Sequence, residues 1–102
     1  MRVLLVCALG MSTSILVSNM REFADKDDRI EMCSSANISE HFQDVDVILV
    51  GPEIKHTFNA IKNEAQRQGK VAAMMETTAF AKIDGAFMYK QAKDLYTQMN
   101  SK

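Results

Sequence analysis

The order of apolar runs along this chain predicts an α/β protein, a doubly wound four-stranded parallel sheet in the order 2-1-3-4 with helices on both faces. Three observations carry that expectation. Short strand-like runs at 3–6, 29–34, 45–50 and 70–75 alternate with segments of helical apolar spacing. The third run, Val45-Asp46-Val47-Ile48-Leu49-Val50, is apolar on both faces and therefore central. No repeat, linker or low-complexity tract interrupts the alternation, so residues 1–102 are expected to form one domain with right-handed crossovers.

Taken in order, Val3-Leu4-Leu5-Val6 is a buried strand, and Ser12 to Ala24 is a helix. Leu16, Met20 and Phe23 form its apolar stripe, with Arg21 and Glu22 turned outward. Asp25-Lys26-Asp27-Asp28 reads as a solvated charged turn. In the second strand Ile30 and Met32 alternate with Glu31 and Cys33, as near a sheet edge. Asn37 is placed to cap a short helix through Phe42, with Glu40 at the capping-box position. After the central strand, Gly51-Pro52 breaks the run. Ile54, Phe58, Ile61 and Ala65 then line a helix that closes at Gln68-Gly69. Lys70 to Met75 is the fourth strand, and Glu76 to Ile83 is read as a loop on the strength of Thr77-Thr78. Asp84-Gly85 opens a last helix with Met88, Ala92, Leu95 and Met99 on one face.

Composition narrows the function classes. The chain has 102 residues, 47% hydrophobic and 25% charged, enough for a single core. Its net charge of −1 and pI near 6.1 supply no basic field for nucleic acid. Two cysteines suit a reduced cytoplasmic protein better than a disulfide scaffold. Met1-Arg2 followed by an apolar run imitates a secretory signal. No small-x-small cleavage site follows, however, and the run from Val3 to Leu9 falls far short of the ~20 residues that span a bilayer. No long unbalanced apolar face is left over, so a monomer is the default expectation.

The chemistry concentrates at Cys7. It stands where the first strand hands over to the first helix, a place where free backbone N–H groups converge on one spot. Such a junction is expected to lower the thiol pKa and to hold a tetrahedral oxyanion. In a 2-1-3-4 sheet the switch point lies beyond strands 1 and 3, so the loops at Cys7 and Gly51 are expected to share one crevice.

The run Val6-Cys7-Ala8-Leu9-Gly10-Met11-Ser12-Thr13-Ser14, the Gly51-Pro52 after a central strand and the Asp84-Gly85 before the last helix resemble the lactose/cellobiose family of IIB components of the bacterial sugar phosphotransferase system. The resemblance covers essentially the whole chain. It implies that Cys7 takes a phosphoryl group from a phosphohistidine on a IIA protein and passes it to a sugar held by a membrane IIC component. It implies also that Ala8, Leu9, Gly10, Met11, Ser12, Thr13 and Ser14 bind the phosphate through their backbone. A β-linked disaccharide of the cellobiose, chitobiose or lactose class is implied by family alone.

The remaining candidates have plainer roles. Cys33 is expected to be a small buried hydrophobe and His41 to sit half-buried by Ile38 and Phe42. His56 falls near the crevice. With two histidines and two cysteines so scattered, no zinc spacing exists, and neither metal nor cofactor is expected. The methionines at 20, 32, 74, 75, 88 and 99 are core filling by spacing, and Glu53 and Asp84 are explained by capping and solvation. Ser12, Thr13 and Ser14 either donate hydroxyls to phosphate or cap the first helix. Two other functions fit the pattern less well. A cysteine phosphatase wants Cys-x5-Arg, and Thr13 stands at the arginine's place; a redox or regulatory module has no second cysteine close in sequence.

Overall fold

Strand β1 (Arg2–Val6) is flanked on one side by β2 (Arg29–Cys33) and on the other by β3 (Val47–Val50), which in turn pairs with β4 (Val71–Met74). All pairings are parallel, giving the order 2-1-3-4. This computed structural model describes residues 1–8 and 11–100, and the side chains of all of these except Met11 and Ser12. The helices are α1 (Met11–Phe23), α2 (Phe58–Arg67), α3 (Thr77–Ala81) and α4 (Gly85–Asn100). Short 3-10 stretches occupy Ser35–Glu40, Phe42–Asp44 and Pro52–Thr57.

Alternation along the two central strands sends their side chains into two apolar layers. Val3, Leu5, Val47 and Leu49 pack with Leu16, Val17 and Met20 of α1 and Met88 and Ala92 of α4. Leu4, Val6, Ile48 and Val50 face the other way, onto Ile38, Phe42, Ile54, and Ile61 and Ala65 of α2. Every residue of β3 is fully buried, as its unbroken apolar run requires. Gly85 lets α4 approach α1 closely: a Cβ there would come within 2.5 Å of Asn19 Cβ and 2.8 Å of Met20 N. That contact braces the helix that carries Thr13.

Several sequence expectations need correction. The 76–83 segment contains α3, whose N-cap Glu76 accepts a 2.6 Å bond from Ala79 N–H. Asn37 caps nothing: Ser34 stands at the N-cap of its stretch, without a side-chain bond. Phe23 is 52% exposed, and Val17 takes its place in the α1 stripe. Met32 lies on the face expected, yet it is exposed because β2 is an edge strand. The turn at 25–28 is not wholly solvated. Asp28 receives the Met1 ammonium at 3.1 Å and the Tyr89 hydroxyl, with little of either charged group exposed.

Candidate functional site

Cys7 follows directly on β1, and the ladder holds it there: its N–H donates to Cys33 O at 3.2 Å. Gly51 N–H donates to Val6 O at 2.8 Å, so the chain leaving β3 passes beside the chain leaving β1. The two loops expected to meet at the switch point therefore leave the sheet side by side. The thiol is almost fully buried and lies 3.2 Å from Thr13 Oγ1, which is itself 2% exposed. Thr13 is the third residue of α1, where the backbone N–H groups of the first turn have no partner within the helix.

A carboxylate stands at the same place. Ala8 N–H donates to Glu53 Oε1 at 3.2 Å, from one loop to the other. Glu53 can fold back in this way because Gly51 has no side chain: a Cβ at 51 would lie 2.9 Å from Oε1 and 3.0 Å from Oε2. Glu53 is solvent-exposed, as expected, and in addition its carboxylate reaches back to the Ala8 N–H. The signal in the sequence was a glycine and an acid two residues apart in the loop after β3. Asp84, in contrast, does cap its helix, accepting from Phe87 N–H at 3.1 Å.

The electrostatics also depart from expectation. Burial pushes the Cys7 thiol up; the Thr13 bond pulls it down, and the Glu53 charge pushes it up again, leaving it above its ordinary value. The anticipated lowering does not prevail, because burial outweighs the Thr13 bond. Cys33, on the neighbouring strand, is buried and its thiol is pushed up to about 11 by burial, with Cys7 adding to it. It behaves as the small hydrophobe expected.

Of the expected phosphate-binding residues, Thr13 contacts the Cys7 thiol, the Ala8 N–H is bonded to Glu53, and Ser14 is exposed in the first turn of α1. Leu9 and Gly10, and the side chains of Met11 and Ser12, lie outside the described residues. His56 is exposed and makes no bond to the cysteine; His41 is half-buried on the far layer, as expected. No described helix is long and apolar enough to cross a membrane.

Comparison with known proteins places the whole chain within one family. The family described as "PTS system, Lactose/Cellobiose specific IIB subunit" matches residues 2–97. The oligo-beta-mannoside-specific EIIB component of Bacillus subtilis is 29% identical over 97 residues, covering 92% of this chain and 94% of the relative. The solution structure of the cellobiose-specific phosphotransferase IIB component from Borrelia burgdorferi superposes with a TM-score of 0.80 at 24% identity, covering 97% of this chain and 94% of that one. The lactose-specific IIB domain from Streptococcus pneumoniae gives 0.74 at 18% identity, covering 94% and 97%. These two structures share the fold.

Proposed function

Since the chain belongs to the lactose/cellobiose-specific IIB subunits of the sugar phosphotransferase system, we propose that Cys7 is the atom-level carrier of the phosphoryl group. The observation that carries this reading is the position of the thiol: at the strand–helix junction, beside Thr13 Oγ1 and the Ala8 N–H. The sulfur attacks phosphorus in line, an S–P bond forms and the P–N bond to the donor imidazole breaks. The proton released by the thiol is balanced by the one the imidazole regains. The Thr13 hydroxyl, 3.2 Å away, donates to the thiolate once the proton has left. In this reading the N–H groups of the first turn of α1, which have no partner within the helix, supply donors for the charge that develops. Phosphoryl transfer needs positioning and charge stabilisation more than further side chains.

The donor in this reading is a IIA phosphohistidine, and the acceptor is a sugar bound by a membrane IIC component, with the whole chain acting in the cytoplasm as one carrier unit. The names of its relatives support a β-linked oligosaccharide as the sugar class. Thr13 in place of an arginine leaves no cation to grip equatorial oxygens, which separates this site from a cysteine phosphatase. Negligible hydrolysis of p-nitrophenyl phosphate is expected.

Incubation with phosphoenolpyruvate, the general phosphotransferase proteins and a cognate IIA protein should add one phosphate by intact mass to the wild type and none to Cys7→Ser. Equal labelling of both would move the site elsewhere. Titration with the IIA protein should shift amides around residues 7–15 and 51–58, and shifts confined to α4 would place the docking surface on another face.

A further inference from the structure

We propose that Glu53 is a resident competitor for the phosphate cradle: its carboxylate holds the Ala8 N–H while Cys7 is unmodified and gives that N–H up when an anionic group arrives. The placement of one carboxylate, seen from both loops, supports this. The Oε1 atom accepts the Ala8 N–H at 3.2 Å, one residue from the nucleophile. The carboxylate also occupies the space that a side chain at Gly51 would fill. Gly51 has φ −67 and ψ 144, an extended conformation open to any residue, so its backbone does not demand glycine. What the missing side chain provides is room for Glu53.

The consequence is a solvent-exposed charge held one residue along the chain from Cys7. Among the described residues no ion pair neutralises Glu53, and its field acts on the buried thiol next to it. An incoming phosphate must displace a carboxylate from a donor and then tolerate it nearby. This inference rests on the carrier reading for its biological meaning: a phosphocysteine facing Glu53 is held less firmly, so it passes the group on more readily. Glu53 is in this sense a positioning residue, acting through the cradle and not on the transferred atoms.

The test uses three readouts on wild type, Glu53→Gln and Gly51→Ala, each first matched by urea midpoint. Gln keeps an oxygen acceptor for Ala8 N–H and removes the charge. Ala at 51 keeps the charge and expels it from the cradle, meeting only the mobile end of the Glu53 side chain. Alkylation of Cys7 by iodoacetamide at fixed pH should rise about twofold to fivefold in both variants, the size of one partly exposed charge interaction. Inorganic phosphate, titrated while the Ala8 amide is observed by NMR, should bind Glu53→Gln about threefold more tightly than wild type, on the same scale. Superimposable alkylation profiles and equal phosphate affinities in all three proteins would overturn the proposal. Intact-mass phosphorylation of the same set decides the carrier reading separately. If Cys7 takes no phosphate from a IIA donor in any of them while alkylation and phosphate affinity still change, the carrier reading fails and the competition stands.

Discussion

The two ends of the sheet treat charge in opposite ways. At the amino ends of the strands, charged groups are paired. The Met1 ammonium sits 3.1 Å from Asp28, which also takes the Tyr89 hydroxyl, and Asp46 receives Arg2 N–H at 2.9 Å with the Arg2 guanidinium 3.5 Å away. At the carboxyl ends the Cys7 thiol meets the Thr13 hydroxyl and the Ala8 N–H meets the Glu53 carboxylate, with no ion pair to that carboxylate among the described residues. The first end ties α4 to β1 and the turn before β2, far from any reacting atom. The second places the Cys7 thiol, the Thr13 hydroxyl and the Glu53 carboxylate around the start of α1. Stability and chemistry are thus separated along the strand axis, and substitutions at the two ends should have different signatures.

The largest effect on stability is expected at the amino end. Asp28→Ala leaves the ammonium, with a side chain only 4% exposed, and the Tyr89 hydroxyl without their shared partner. Loss of one member of a buried pair should lower the unfolding free energy by about 3 kcal/mol, measured by urea denaturation. Burial alone would raise the Asp28 carboxyl, but the bonds from Tyr89, the ammonium and Asp25 N–H outweigh it and hold it below its ordinary 3.8. The wild type therefore keeps this contribution above pH 3.8 and loses it as pH falls through the lower native value, whereas Asp28→Ala has none to lose. Cys7 alkylation should not change. A matching change there would show that the two ends are coupled.

A smaller loss is expected at the carboxyl end. Thr13→Val preserves the shape of a side chain that is 2% exposed and removes the oxygen beside Sγ. The cost should be about 1 kcal/mol by the same denaturation. The thiol should also become harder to ionise, because the bond that lowers its pKa has gone. Slower alkylation at pH 8 together with a modest stability loss is the combination that distinguishes this end from the other. A loss as large as that of Asp28→Ala would make Thr13 a structural residue first.

Two helix ends show why most of this fold was legible and part of it was not. After α2, Gly69 N–H bonds to Gln66 O and Lys70 N–H to Ala65 O, closing a Schellman motif with Gly69 at φ 75. After α3, Ile83 N–H bonds to Phe80 O and Asp84 N–H to Ala79 O, the same motif with a β-branched residue at φ 55. The first carries the glycine that marks a helix end in sequence; the second does not, so a five-residue helix passed for a loop. Strand order followed from which run was apolar on both faces. Of the candidate site, the placement of Cys7 was legible, because a cysteine at a strand–helix junction is a local pattern. Glu53 was not, since its bond to Ala8 joins residues 45 apart and depends on the space left by Gly51. The raised thiol pKa was missed for the same reason, as burial and a distant carboxylate are tertiary facts.

A further effect is expected in alkali, where both ends contribute with the same sign. Burial, then the bond to Asp28, raise the Tyr89 hydroxyl from 10.0 to about 12, and burial with the nearby Cys7 raises Cys33 from 9.0 to about 11. In each case the native chain holds its proton more tightly than the unfolded chain does. As pH climbs past the unfolded value the unfolded state binds fewer protons than the native one, so stability must fall with rising pH. The contribution of Cys33 is whole below pH 9.0 and is lost on the way to about 11; that of Tyr89 is whole below 10.0 and is lost on the way to about 12. Urea midpoints should therefore be flat from pH 7 to 8.5 and decline above 9, with the thiol of Cys7 adding to the first part of the decline. Cys33→Ala should delay the onset and Tyr89→Phe should flatten the upper part, each relative to its own midpoint at pH 7. If Tyr89→Phe instead steepens the decline, the hydroxyl is not the group that holds its proton against Asp28, and the amino end is clamped by the ammonium pair alone.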